Sequence, residues 1–147
     1  MPPYLPGACM MENWVVPFSM NPYAALLYVH PAPGNKDSFL DEAVRLAKHG
    51  TASLLIDAPW SQEAWAQTLG KPEQDRDIFI EAIKELRRAI DLVASQPNID
   101  VKCIGYVGHS FGALCGGVLA GTSSFAISVW RTRCLPTRKH VGVGGSR

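Results

Sequence analysis

The last third of this chain has no carboxylate. All 13 Asp and Glu residues lie at or before Asp100, and beyond it come six basic residues, Lys102, Arg131, Arg133, Arg138, Lys139 and Arg147. The total is nearly neutral, a formal net charge of +1, which makes no case for a nucleic acid or membrane partner. Long apolar runs are also missing: the stretches reach about six or seven residues, against the ~20 that a membrane-spanning helix needs. No basic start leads into a continuous apolar segment, so no secretory signal is expected. The four cysteines, Cys9, Cys103, Cys115 and Cys134, form no CxxC pair and no Cys/His cluster with zinc spacing. No metal or cofactor is expected. Cys103 and Cys115 sit in apolar runs and read as buried, reduced thiols, which favours a cytoplasmic location.

What is present describes a globular domain. Hydrophobic residues make up 47% of the 147 and charged residues 18%, enough to bury a core and too apolar for a disordered chain. Residues 1–23 are rich in Pro and Met, with Trp14 to Phe18 a short edge-strand candidate and Pro17 excluding a central one. Ala24 to Val29 is continuously apolar, as in a strand buried on both faces of a parallel sheet. His30 to Asn35 is a loop. Ser38 with Asp41 predicts the capped start of a helix, with Phe39, Leu40, Ala43, Val44 and Ala47 as its apolar stripe and Gly50 as a left-handed terminus.

Ala52 to Ile56 is a second buried strand. Residues 60–72 form a loop or short helix. A long helix over Glu73–Ser95 carries the stripe Phe79, Ala82, Ile83, Leu86, Ile90 and Val93. Val101 to Val107 is the third strand, Ala113 to Ala120 a small-residue helix, and Phe125 to Trp130 the fourth strand. Alternation of strand and helix implies an α/β fold, with a mostly parallel sheet and helices on both faces.

Between the third strand and the small-residue helix lies Gly108-His109-Ser110-Phe111-Gly112. This is G-x-S-x-G, the nucleophile elbow. A serine at a sharp strand-to-helix turn projects above the sheet edge. Side chains two positions away on either side would meet the neighbouring strand and helix, so glycine fits there. The helix starting after Ser110 turns its free N–H groups and positive dipole end toward a developing oxyanion, with the Phe111 N–H as one donor. A catalytically silent glycine-rich turn or a phosphate cradle is the other reading of such a turn. Neither a P-loop lysine nor G-x-G-x-x-G supports the cradle.

With LLYVHPAPG, LLIDAPW, ASQPNIDV and CIGYVGHSFGALCGGVLAG, the chain resembles the α/β-hydrolase superfamily of serine hydrolases, in its dienelactone-hydrolase-like or prolyl-oligopeptidase-like branch. The resemblance covers about residues 22–130. It implies a partial α/β-hydrolase domain over 1–130, with the last strands missing, followed by an irregular basic tail over 131–147. It implies hydrolysis of a small-molecule ester or peptide bond through an acyl-serine intermediate. It places His30 to Ala32 in the oxyanion loop. Pro31 has no N–H, so the resemblance implies that Ala32, or a rearranged loop, supplies the second donor.

The resemblance also implies an Asp or Glu and then a His after Ser110. No carboxylate follows Ser110, and the only downstream histidine, His140, comes soon after the serine with no strand before it. Of the others, His109 reads as a packing or loop residue, His49 as a helix C-terminal residue, and His30 as a structural hydrogen-bonding group rather than a base. Asp57 follows a strand near the site, where a structural role is implied. Trp60 and Trp65 line a pocket or belong to core or surface. The expectation is a chain truncated or shifted in frame near Ser128 to Arg131, impaired as an enzyme. The alternative is a non-catalytic pseudo-hydrolase that binds a partner or ligand. The fourth strand is expected at an open sheet edge, where chains can self-associate.

Overall fold

The apolar run from residue 23 becomes the centre of the molecule because both its faces are covered. The computed structural model describes residues 12–17, 23–63, 71–122 and 129–131. Its strands are β1 (Glu12–Val15), β2 (Tyr23–Val29), β3 (Thr51–Ile56), β4 (Ile99–Gly108) and β5 (Val129–Arg131). Its helices are α1 (Leu40–Ala47), α2 (Pro72–Ala94) and α3 (Phe111–Thr122), with 3-10 turns at Lys36–Phe39 and Pro59–Ser61. The sheet order is β1-β3-β2-β4-β5. β2 pairs in parallel with β3 and β4, β4 pairs in parallel with β5, and β1 joins β3 antiparallel.

The two faces follow the period of two along each strand. Leu27, Val29, Leu54, Ile56, Ile104 and Tyr106 point toward α2 and α3, where they meet Leu86, Ile90, Val93, Cys115 and Leu119. Tyr28, Leu55 and Val107 point the other way, toward Phe39, Ala43 and Leu46 around α1. Helices therefore cover both faces, as the alternation predicts. The α2 stripe also matches, with Ala82, Leu86, Ile90 and Val93 buried.

Several expectations need correction. The capping role of Ser38 is taken by Asn35, whose side chain accepts the Asp37 N–H at 3.1 Å, while Phe39 at the α1 start makes no side-chain cap. The α-helix starts only at Leu40, after a 3-10 turn, and Leu40 and Val44 are exposed while Ala43 is its buried residue. Gly50 does adopt the left-handed conformation, φ 83°. The first strand is Glu12–Val15, ending ahead of Pro17. Of the fourth predicted strand, Val129–Trp130 lie in β5 and residues 125–128 lie outside the described residues.

Cys103 is exposed rather than buried. The cause is a register shift: Tyr23 pairs with Ile99 but Ala25 with Ile104, so residues 101–103 have no place on the ladder and are exposed. Asp100 accepts the Lys102 N–H at 2.9 Å within this bulge. Cys115 is buried, as expected. Arg131, expected to open the irregular tail, is the last residue of β5; Cys9, Trp65, Cys134, His140 and residues 132–147 lie outside the described residues. Among the described residues no helix is long and apolar enough to cross a membrane.

Candidate active site

Register brings three loops to one edge. Ile56, Val29 and Gly108 are paired across the sheet, so Asp57, His30 and His109 leave it side by side. This is the carboxyl end of the parallel strands, where open α/β sheets bind ligands. His49 lies just ahead of β3, at the opposite end, and is exposed.

Ser110 occupies the turn into α3 with φ 53°, the left-handed region. An L residue there costs roughly 1–2 kcal/mol, so the surroundings must impose the conformation. They do so through two glycines. A Cβ on Gly108 would lie 2.7 Å from the Gly112 carbonyl and 2.8 Å from the Tyr106 ring. A Cβ on Gly112 would run into the Val29 carbonyl oxygen and lie 3.0 Å from that of His30. The elbow is thus pressed against the end of β2. The His109 N–H donates to the Val29 carbonyl at 3.3 Å, and the Gly112 N–H to that of His109 at 3.0 Å. Ser110 and His109 are exposed, and Phe111 is partly buried. Among the described residues the Phe111 N–H has no hydrogen-bond partner, as expected at the first position of a helix.

Tyr106 supports the turn from below. Its buried hydroxyl donates to the Gly112 carbonyl at 2.7 Å. Its ring fills the space where Gly116 lacks a side chain, 2.5 Å from an added Cβ. Burial pushes the phenol well above its ordinary value, so it remains a donor. The motif alone does not single out this residue. The visible signal is the pair Gly112 and Gly116, four apart on one helix face, which leaves room for a ring.

His30 is almost wholly buried and both ring nitrogens are engaged. The Ala58 N–H donates to Nε2 at 3.0 Å. A backbone amide only donates, so Nε2 carries no proton, and Nδ1–H donates to the Pro31 carbonyl at 2.7 Å. Burial lowers the His30 pKa, against weaker opposing effects of the Pro31 carbonyl and Asp57. His30 is the structural group that the sequence reading favours. Asp57 is also engaged: it accepts the Lys36 N–H at 2.8 Å and pairs with the Lys36 ammonium at 3.5 Å. Trp60 is buried. Its Nε1–H donates to the Pro31 carbonyl at 3.2 Å, and its ring meets His30 at 5.5 Å and Phe111 at 4.8 Å between centroids. Phe79 of α2 closes the cluster against Phe111 at 5.5 Å. Among the described residues no group of three His, Cys, Asp or Glu side chains is arranged to hold a metal ion.

By sequence, no family model and no curated protein matches the chain. Its fold does match solved structures. A Bacillus cereus carboxylesterase superposes with TM-score 0.62 at 22% identity, over 82% of this chain and 57% of that one. The dienelactone hydrolase from Anabaena variabilis gives 0.58 at 21%, over 83% and 56%. A putative acetyl xylan esterase from Bacteroides fragilis gives 0.64 at 18%, over 81% and 40%. The chain has a partial α/β-hydrolase fold, spanning less than two thirds of each of these proteins. At such identities the likeness establishes the fold and not the chemistry.

Proposed function

We propose that this chain carries the nucleophile half of a serine hydrolase that cleaves an ester or peptide bond through an acyl-serine intermediate. Ser110 attacks the carbonyl carbon. The N–H groups of Phe111 and Ala32 bind the oxyanion, and Gly108, His109 and Gly112 form the turn that presents the serine. The observation that carries this reading is Ser110 at φ 53° between two glycines that admit no Cβ, at the carboxyl edge of the sheet. Such strain concentrates at functional sites. The esterase and hydrolase names of the structural neighbours support the same class.

A serine hydroxyl needs a base, and the engagement of the described groups beside the elbow supports a second reading. Among the described residues His30 has both nitrogens occupied, and Asp57 is held by Lys36. In that reading the elbow is unactivated and the chain binds a partner or ligand without turning it over. Without base and acid, residual catalysis in worked triad systems is roughly 10³–10⁴-fold over water.

A fluorophosphonate probe separates the two. Wild type and Ser110→Ala are exposed to it, with a circular dichroism melt to establish folding. Labelling of wild type alone supports the hydrolase. A folded wild type that does not label supports the binding reading.

A further inference from the structure

We propose that Trp60 is a positioning residue that sets both halves of the oxyanion site at once, an inference resting on the serine-hydrolase reading above. Trp60 comes from neither the elbow nor the loop after β2. It lies in the 3-10 turn after β3, inserted between the two.

Its link to the loop after β2 is a hydrogen bond to a peptide plane. The Pro31 carbonyl receives Nε1–H of Trp60 at 3.2 Å and Nδ1–H of His30 at 2.7 Å. That carbonyl and the Ala32 N–H belong to one planar peptide group. The Pro31–Ala32 bond is trans. In a trans peptide the C=O and N–H point in opposite directions. Two donors holding the carbonyl on one side therefore aim the Ala32 N–H out of the other. Pro31 itself offers no N–H, so orienting this plane is how the loop presents a donor.

Its link to the elbow is a ring contact. The Trp60 indole meets the Phe111 ring edge-on at 4.8 Å, and Phe79 also meets that ring edge-on, at 5.5 Å. Phe111 is the first residue of α3, so fixing its side chain fixes the backbone that carries the other N–H. Trp60 is 5% exposed, and its turn is anchored by the Ala58 N–H to His30 and by Asp57 to Lys36. One rigid indole thus spans both donors, and a small tilt of it shifts the two in concert.

The test uses the full chain, wild type and Trp60→Phe, which keeps a ring but loses the N–H. Residual dipolar couplings of 15N-labelled protein read the orientation of the Ala32 N–H without requiring turnover. The proposal expects the Ala32 coupling to change while those of β2 and β3 stay. An unchanged Ala32 coupling overturns it. The second readout is the fluorophosphonate labelling rate and p-nitrophenyl acetate hydrolysis. Misplacing an oxyanion donor lowers the chemical step, so about a 10- to 100-fold fall in kcat with KM unchanged is expected. A KM effect alone, or no effect, overturns the proposal. If wild type neither labels nor hydrolyses, the serine-hydrolase reading of this chain fails, and the couplings alone decide the positioning role. Should Trp60→Phe not melt cooperatively, site-specific benzothienylalanine at position 60 keeps the bicyclic shape without the N–H, and the same outcomes apply.

Discussion

The Tyr106 hydroxyl donates to the Gly112 carbonyl at 2.7 Å, joining the last buried residue before the elbow to the helix turn beyond it. Tyr106→Phe removes this bond and keeps the ring packing. Taking the donor away from a buried acceptor costs about 1–3 kcal/mol. Urea unfolding is expected to show a loss in that range.

Gly112→Ala places a methyl group on the Val29 carbonyl, where backbone faces backbone and neither side can yield. Gly117→Ala, on the same helix, meets nothing within 4 Å. The first is expected to abolish the native fold of the elbow. The second is expected to be neutral or to stabilise α3 by up to about 1 kcal/mol, because alanine is the better helix former. Thermal melts of both variants check the contrast.

Burial lowers the His30 pKa below its ordinary 6.5. Above pH 6.5 both folded and unfolded states hold it neutral, and its full contribution stands. As pH falls below 6.5 the unfolded state takes up a proton that the folded state resists, so stability drops until pH passes the folded value. Protonation of Nε2 also breaks its bond from the Ala58 N–H. His30→Gln is expected to flatten the stability curve below pH 6.5, read by urea melts across pH.

The two described cysteines differ in reach. In a Cys9→Ser, Cys134→Ser background, Cys103 is expected to react with a thiol reagent in the native state and Cys115 only on unfolding, since burial shields its thiol and pushes it up to about 12. Asp100 raises the Cys103 pKa through a hydrogen bond and its charge. Asp100→Asn is expected to speed Cys103 labelling, measured at pH 7.

Among the described residues β5 lies at one edge of the sheet, and no strand pairs with its outer side. We propose that this edge pairs chains with one another. Sedimentation equilibrium is expected to show concentration-dependent association, and a monomer at all concentrations would remove the idea.

Much was legible in the sequence because it is written in local periodicity. Continuous apolar runs at 24–29 and 52–56 mark strands covered on both faces, the 3.6-residue stripe from Phe79 to Val93 marks a helix, and glycines two either side of Ser110 mark a turn without room for side chains. The remainder depends on register between distant segments. Val29 beside Gly108 and Ile56 brings His30, Asp57 and His109 to one edge, and no local pattern states that alignment. The bulge that exposes Cys103 arises because the ladder skips between Ile99 and Ile104, although its sequence reads as an apolar strand. The hydrogen bonds of Tyr106 and Trp60 reach across 6 and 29 residues of chain. A tyrosine or tryptophan reads the same in sequence whether it packs or orients, and only the partner of its polar atom tells the two apart.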